Sequence, residues 1–203
     1  MPQPTIGVLA VQGDVREHAS ALESLGAVAC AIRRPSEVQR IDALVIPGGE
    51  STVIDKLTRA FGLADPIRER IAAGMPAYGS CAGLIMLADE VIDATGDQET
   101  FGGMDITVRR NAFGRQVDSF EADVHIVGLS NPELPFRGVF IRAPRIERAG
   151  PAVEIIATVP HEGGQAIVAA RCGPLLVTSF HPEVTGDRRV HGLFLEMVAD
   201  HRG

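Results

Sequence analysis

Short apolar runs alternate with amphipathic stretches through the first half of the chain, and this alternation restricts the possible folds more than any other feature. Thr5 to Val11 is an almost continuous apolar run, the pattern of a strand buried on both faces of a parallel sheet. Val15, His18, Ala19, Leu22 and Leu25 then recur at helical spacing. Asp14 and Glu17 stand at capping-box spacing ahead of them, and Gly26 offers a stop. The same reasoning predicts strands over 28–32, 43–46 and 76–78, and helices over 51–61, 66–73 and 82–91. Repeated strand, helix, strand is the signature of a parallel sheet with right-handed crossovers.

After residue 95 the texture changes. Segments 106–108, 124–127, 138–141, 153–159, 166–170 and 175–180 read as strands joined by short turns. The last stretch, Asp187 to Asp200, carries Val190, Leu193, Phe194, Met197 and Val198 at helical spacing and should pack back on the sheet. No repeat, low-complexity tract or linker divides the chain. The expectation is therefore one domain over residues 1–203, a three-layer α/β/α fold with a mostly parallel central sheet and an antiparallel extension.

Charge and composition exclude several function classes. The chain carries 26 acidic against 19 basic side chains, a net charge of −7, and its arginines form adjacent pairs instead of a stripe. Such a surface repels phosphate backbones, so no nucleic acid is expected as a partner. The apolar runs are far shorter than the roughly 20 residues of a spanning helix, and the first residues lack a signal-peptide pattern, so no membrane is expected and the cytoplasm is. Cys30, Cys81 and Cys172 are an odd number without Cys-x-x-Cys spacing, which argues against a disulfide framework and a structural zinc site. Cys30 and Cys172 lie in apolar strands and read as core residues.

Cys81 is different. Tyr78-Gly79-Ser80-Cys81-Ala82-Gly83-Leu84 has the form of a nucleophile elbow, in which small residues two positions either side let strand and helix meet at a sharp turn. The thiol would face free backbone N–H groups that favour the thiolate, and the N–H of Ala82 would point where an oxyanion forms. A thiolate needs a base. His181 follows an apolar strand and opens Phe180-His181-Pro182-Glu183, where Glu183, two residues on in extended chain, would share its side and fix the imidazole's tautomer. The other histidines, His18, His125, His161, His191 and His201, are assigned to the surface or to helix faces without a catalytic part. Pro47-Gly48-Gly49-Glu50-Ser51 is a third strand-to-helix junction, and Gly49 is a candidate second oxyanion donor.

The chain order nucleophile, His, Glu differs from that of α/β-hydrolases and resembles class I glutamine amidotransferases. The general pattern of those enzymes has Gln where Ile85 stands. A narrower resemblance accounts for this. Gly7 to His18, Pro47 to Thr52, Cys81 to Ile85, Arg110-Asn111-Ala112-Phe113-Gly114-Arg115-Gln116, Phe140-Ile141-Arg142-Ala143-Pro144 and Phe180 to Glu183 are similar to the glutaminase-subunit family of pyridoxal 5′-phosphate synthase, and they span nearly the whole chain. Ser80 stands where that family usually has threonine. The resemblance implies a glutaminase with L-glutamine as substrate, bound at Gly49, Glu50, Ser51, Arg110, Ile141 and Arg142. It also implies that the ammonia passes to a separate synthase subunit built as a (β/α)₈ barrel. No metal and no cofactor are expected. Two alternatives stay open on residues alone: a stand-alone hydrolase or chaperone of a related cysteine-elbow fold, and a non-catalytic module that senses glutamine.

Overall fold

The structure is a computed structural model and describes residues 3–94, 96–112, 119–161 and 164–202. In chain order, β1 (Thr5–Leu9) leads into α1 (Val15–Ser24), and β2 (Val28–Ile32) into the single turn α2 (Pro35–Val38). Next come β3 (Ala43–Ile46), α3 (Ser51–Ala60), α4 (Ala64–Ala72), β4 (Ala77–Ser80) and α5 (Ala82–Leu87). The strand-rich half holds β5 (Ala88–Ile92), β6 (Met104–Arg109), β7 (Ser119–Val124), β8 (Phe136–Ile141), β9 (Arg145–Ala149), β10 (Glu154–His161), β11 (Gly164–Cys172) and β12 (Leu175–Thr178). A 3₁₀ turn over Pro182–Val184 and α6 (Arg189–Arg202) complete it.

The main sheet runs β2-β1-β3-β4-β12-β11-β9-β6-β5, with β10 paired to β11. From β2 to β12 every pairing is parallel; β11 reverses the direction, and β9, β10 and β11 form the antiparallel extension. β7 and β8 make a separate antiparallel ribbon. Parallel strands alternate their side chains between two cores: Leu175 and Val177 face one cluster with Ile54, Ile67 and Leu84, whereas Leu176 faces the other with Leu22, Val190 and Phe194. Both faces of the sheet are thus covered, by α3, α4 and α5 on one side and by α1 and α6 on the other, which makes the expected three layers. Among the described residues no helix is long and apolar enough to cross a membrane.

Several expectations need correction. The helix expected over 82–91 stops at Leu87; at Ala88 the backbone becomes extended, and Ala88–Ile92 pairs in parallel with β6 at the sheet edge, as suits its β-branched Val91 and Ile92. Asp14 makes no side-chain cap on α1; its carboxylate turns toward His181, 3.9 Å from Nδ1. α2 and β9 lie outside the expected elements, because four residues leave no periodicity to read in the first and alternating charges mask the second, Arg145-Ile146-Glu147-Arg148-Ala149. Observed β7 ends at Val124, where the expected strand over 124–127 begins. Cys30, in the middle of the edge strand β2, and Cys172, the last residue of β11, pack against the core as expected but are only half-buried.

Candidate active site

β4 carries the chain to the carboxyl edge of the sheet, and the turn there is forced by close packing. A Cβ on Gly79 would collide with the backbone of Gly83, and one on Gly83 with the carbonyl of Ile46 in β3. Strand and helix can meet only if both positions are glycine. Cys81 between them has φ +49°, a conformation that costs a non-glycine residue on the order of 1–3 kcal/mol. Its N–H donates to the Thr178 carbonyl at 2.8 Å, which ties the strained residue to the neighbouring β12.

The same β12 delivers the base. Past Thr178 the chain runs through Ser179 and Phe180 to His181, whose N–H donates to the Val139 carbonyl of β8 at 2.9 Å. Glu183 does not lie in extended chain. It sits in the 3₁₀ turn, which folds it back so that Oε1 is 2.7 Å from His181 Nδ1, the side chain of Glu183 having no exposed surface. Burial opposes a charge on His181, but hydrogen bonds to Cys81 and Glu183, together with their charges, outweigh it and push the imidazole up to about 10. The imidazolium is therefore the stable form at neutral pH. By contrast, burial and the Glu37 carboxylate push the Cys30 thiol up, away from reactivity.

These groups open onto a cavity of about 270 Å³ at the carboxyl ends of the parallel strands, where open α/β sheets bind ligands. Gly49, Glu50, Ser51, Cys81, Ala82, Arg110, Ile141, Arg142 and His181 all line it. Glu183 alone of the expected site residues does not, since it stands behind His181. Gly49 has φ +146°, and a Cβ there would run into the Gln12 side chain, whose Oε1 accepts from the Glu50 N–H at 2.8 Å. Arg142 Nη2 donates to Glu50 Oε1 at 2.7 Å across the cavity mouth. Ser51, half-buried Gln98 and Arg110 form a chain: Gln98 Nε2 is 3.0 Å from Ser51 Oγ, and Arg110 Nη1 is 3.3 Å from Gln98 Oε1. Ile141 exposes its side chain and turns its carbonyl toward Cys81 Sγ, 3.8 Å away. Residues 113–116 of the arginine-rich block lie outside the described residues.

Sequence reasoning passes over Gln12, Asp14 and Gln98 as site residues, and it leaves His18 and His191 between the surface and a helix face. Both lie on helices, α1 and α6, and are fully buried behind the triad. A signal for His18 is present, since it falls on the apolar face of α1 with Val15, Ala19 and Leu22. As to metals, Asp14, His181 and Glu183 bring three donor atoms within 4.8 Å of one another. His181 Nδ1 and Glu183 Oε1 are already hydrogen-bonded to each other at 2.7 Å, so a metal taking those atoms would have to break that contact.

The SNO glutamine amidotransferase family matches residues 8–200. The chain belongs to that family. Curated relatives named "Pyridoxal 5'-phosphate synthase subunit PdxT" include one from Acidothermus cellulolyticus, 61% identical over 97% of this chain and 95% of its own, and one from a Nocardioides species, 58% identical over 98% of each. A solved structure titled "Crystal structure of glutamine amidotransferase" superposes with a TM-score of 0.86 at 45% identity, covering 96% of this chain and 98% of that one. The structure of PurLQS from Thermotoga maritima, at 13% identity and a TM-score of 0.69 over 100% of both chains, shares the fold. The SNO family chain thus carries an elbow cysteine, a charged histidine and a glycine-rich wall around one cavity.

Proposed function

We propose that this chain is the glutaminase of a pyridoxal 5′-phosphate synthase, a single domain over residues 1–203 that hydrolyses L-glutamine through Cys81, His181 and Glu183. The observation that carries the reading is the histidine: an imidazolium held between a strained elbow cysteine and a buried carboxylate is the arrangement that makes a thiolate and keeps a proton for the leaving group. The Cys81 thiolate adds to the carboxamide carbon, and the N–H groups of Gly49 and Ala82 receive the oxyanion. His181 gives its proton to the leaving nitrogen, the C–N bond breaks, and ammonia departs from a glutamyl thioester. The now neutral imidazole takes a proton from water, hydroxide adds to the thioester carbon, and the C–S bond breaks to release glutamate. Glu183 holds the ring through both halves.

Arg110 and Arg142 supply cations for the α-carboxylate, and Glu50 an anion for the α-ammonium. The names of the curated relatives support a synthase as the ammonia's destination, and so does chemistry. Ammonia released into water at neutral pH is mostly protonated and no longer nucleophilic, so an enclosed passage to a barrel-shaped synthase partner preserves it. The test is glutamate release from glutamine by Cys81→Ala and the native chain, each with the synthase partner present. The native complex turns over and the variant does not; equal turnover would falsify the assignment.

A further inference from the structure

Behind the triad lies a second, wholly buried polar chain that the reaction above does not use. Glu183 has two carboxylate oxygens. Oε1 accepts the hydrogen bond from His181 Nδ1–H, whereas Oε2 is buried without a hydrogen-bond partner among the described residues. A carboxylate oxygen left bare in a low-dielectric interior is costly, and His18 Nε2, a potential donor, lies 3.4 Å from it. That nitrogen also lies 3.1 Å from Ser80 Oγ, and His18 Nδ1 lies 3.0 Å from His191 Nε2. Tyr78, itself fully buried, packs edge-on against both imidazoles.

A neutral imidazole carries one proton, so the chain has two arrangements. If His18 is protonated on Nδ1, its Nε2 lone pair faces the anionic oxygen, and His191 must accept on Nε2. The His191 proton then sits on Nδ1, which is buried with no partner among the described residues. This arrangement leaves an orphan N–H and a bare anion together. If His18 is protonated on Nε2, that N–H is shared between Ser80 Oγ and Glu183 Oε2. His191 then donates from Nε2 to His18 Nδ1, and what remains unpaired on His191 is a lone pair, a smaller loss than a buried donor.

We infer that His18, in its Nε2–H tautomer, is a positioning residue that holds the second oxygen of Glu183 and so fixes the carboxylate that orients His181. It rests on the triad reading above. Burial, then His191 and His181, keep His18 well below its usual range, so it stays neutral and acts as a dipole, not a charge. The 3.4 Å separation is long for a hydrogen bond, as such contacts often are before substrate binds. Ser80 belongs to the same device: its hydroxyl, one residue before the nucleophile, couples the elbow to the carboxylate's support.

The experiment has two arms. In the native chain, long-range ¹H–¹⁵N spectra are expected to show His18 protonated on Nε2 and not titrating across the neutral range; an Nδ1–H tautomer overturns the inference. With the synthase partner present, His18→Leu, which keeps volume and removes the donor, is expected to lower kcat for glutamine hydrolysis roughly tenfold with KM unchanged. His18→Gln, whose amide can donate from near the Nε2 position, should recover most of that loss. Leu and Gln variants equally impaired, or both within about twofold of native, overturn it, since either result removes the donor from the explanation. If either variant fails to fold, the spectroscopic arm decides. An inactive native complex would count against the glutaminase reading instead, and the tautomer measurement is independent of it.

Discussion

Nδ1 of His181 and Oε1 of Glu183 are 2.7 Å apart, and the Glu183 side chain is sealed from solvent. A carboxylate in that place does two things: it fixes which ring nitrogen faces Cys81, and it stabilises the imidazolium. Glu183→Gln keeps the shape and loses the charge, so the ring can take the wrong tautomer. We expect kcat for glutamine hydrolysis to drop by roughly 10²–10⁴ while KM changes little, measured as steady-state glutamate release. A matching rise in KM with kcat preserved would place Glu183 in binding instead.

Stability should peak near the ordinary histidine pKa, because the buried imidazoles are shifted in opposite directions. Burial, then Arg188, pushes His191 down to about 4, and His18 lies well below 6.5. As pH falls below 6.5 the unfolded chain takes up protons that the folded one refuses, and stability is lost at up to about 1.4 kcal/mol per pH unit for each group. His181 has the opposite sign. Raised to about 10, its contribution is fully present below 6.5 and disappears as pH rises toward 10. Urea unfolding across pH should therefore give a dome, with His191→Gln flattening its acid limb and Cys81→Ala its alkaline limb. A flat acid limb in the native chain would contradict the burial argument.

The parallel half of the fold was legible because a strand buried on both faces, such as Ala43–Ile46, is an apolar run, and a helix such as α3 shows one buried stripe. The elbow was legible for a related reason: close approach of Gly79 to Gly83 leaves a spacing that few other contacts require. The edge strand Ala88–Ile92 was not, since Leu84, Leu87, Ala88, Val91 and Ile92 keep a helical spacing and only the pairing with β6 decides the strand's conformation. Gln98 was equally hidden. It joins Ser51 to Arg110 across 47 and 12 residues of chain, and no local pattern marks such a link.

Arg142 and Glu50 form an ion pair at the cavity mouth with both side chains largely in water, 59% and 43% exposed. Such pairs contribute at most about 1 kcal/mol to stability. Substrate charges, however, must compete with or join the pair. Arg142→Ala should raise KM for glutamine at least several-fold with the melting temperature unchanged, and Gln98→Leu should do so more weakly by loosening Arg110. Unaltered KM in Arg142→Ala would remove that arginine from carboxylate recognition.

The same substitution, glycine to alanine, should act with opposite signs at two positions on helices. At Gly83 in α5 the new methyl meets the Ile46 carbonyl, a backbone atom of β3 that cannot swing aside. The helix must lift from the strand, and lifting it withdraws Leu84 and Leu87 from their core as well as displacing Cys81. We expect a loss of several kcal/mol, on the scale of overpacking combined with lost core contacts, and little soluble protein. At Gly192 in α6 nothing among the described residues lies within 4 Å of the added methyl, and the backbone is helical. Alanine there removes freedom from the unfolded chain alone and should stabilise by about 0.4–1 kcal/mol. Thermal unfolding of the two variants, with glutaminase activity retained in Gly192→Ala, tests whether close approach at the elbow, and not helix propensity, is why Gly83 is glycine. A Gly83→Ala protein as stable as Gly192→Ala would refute that account.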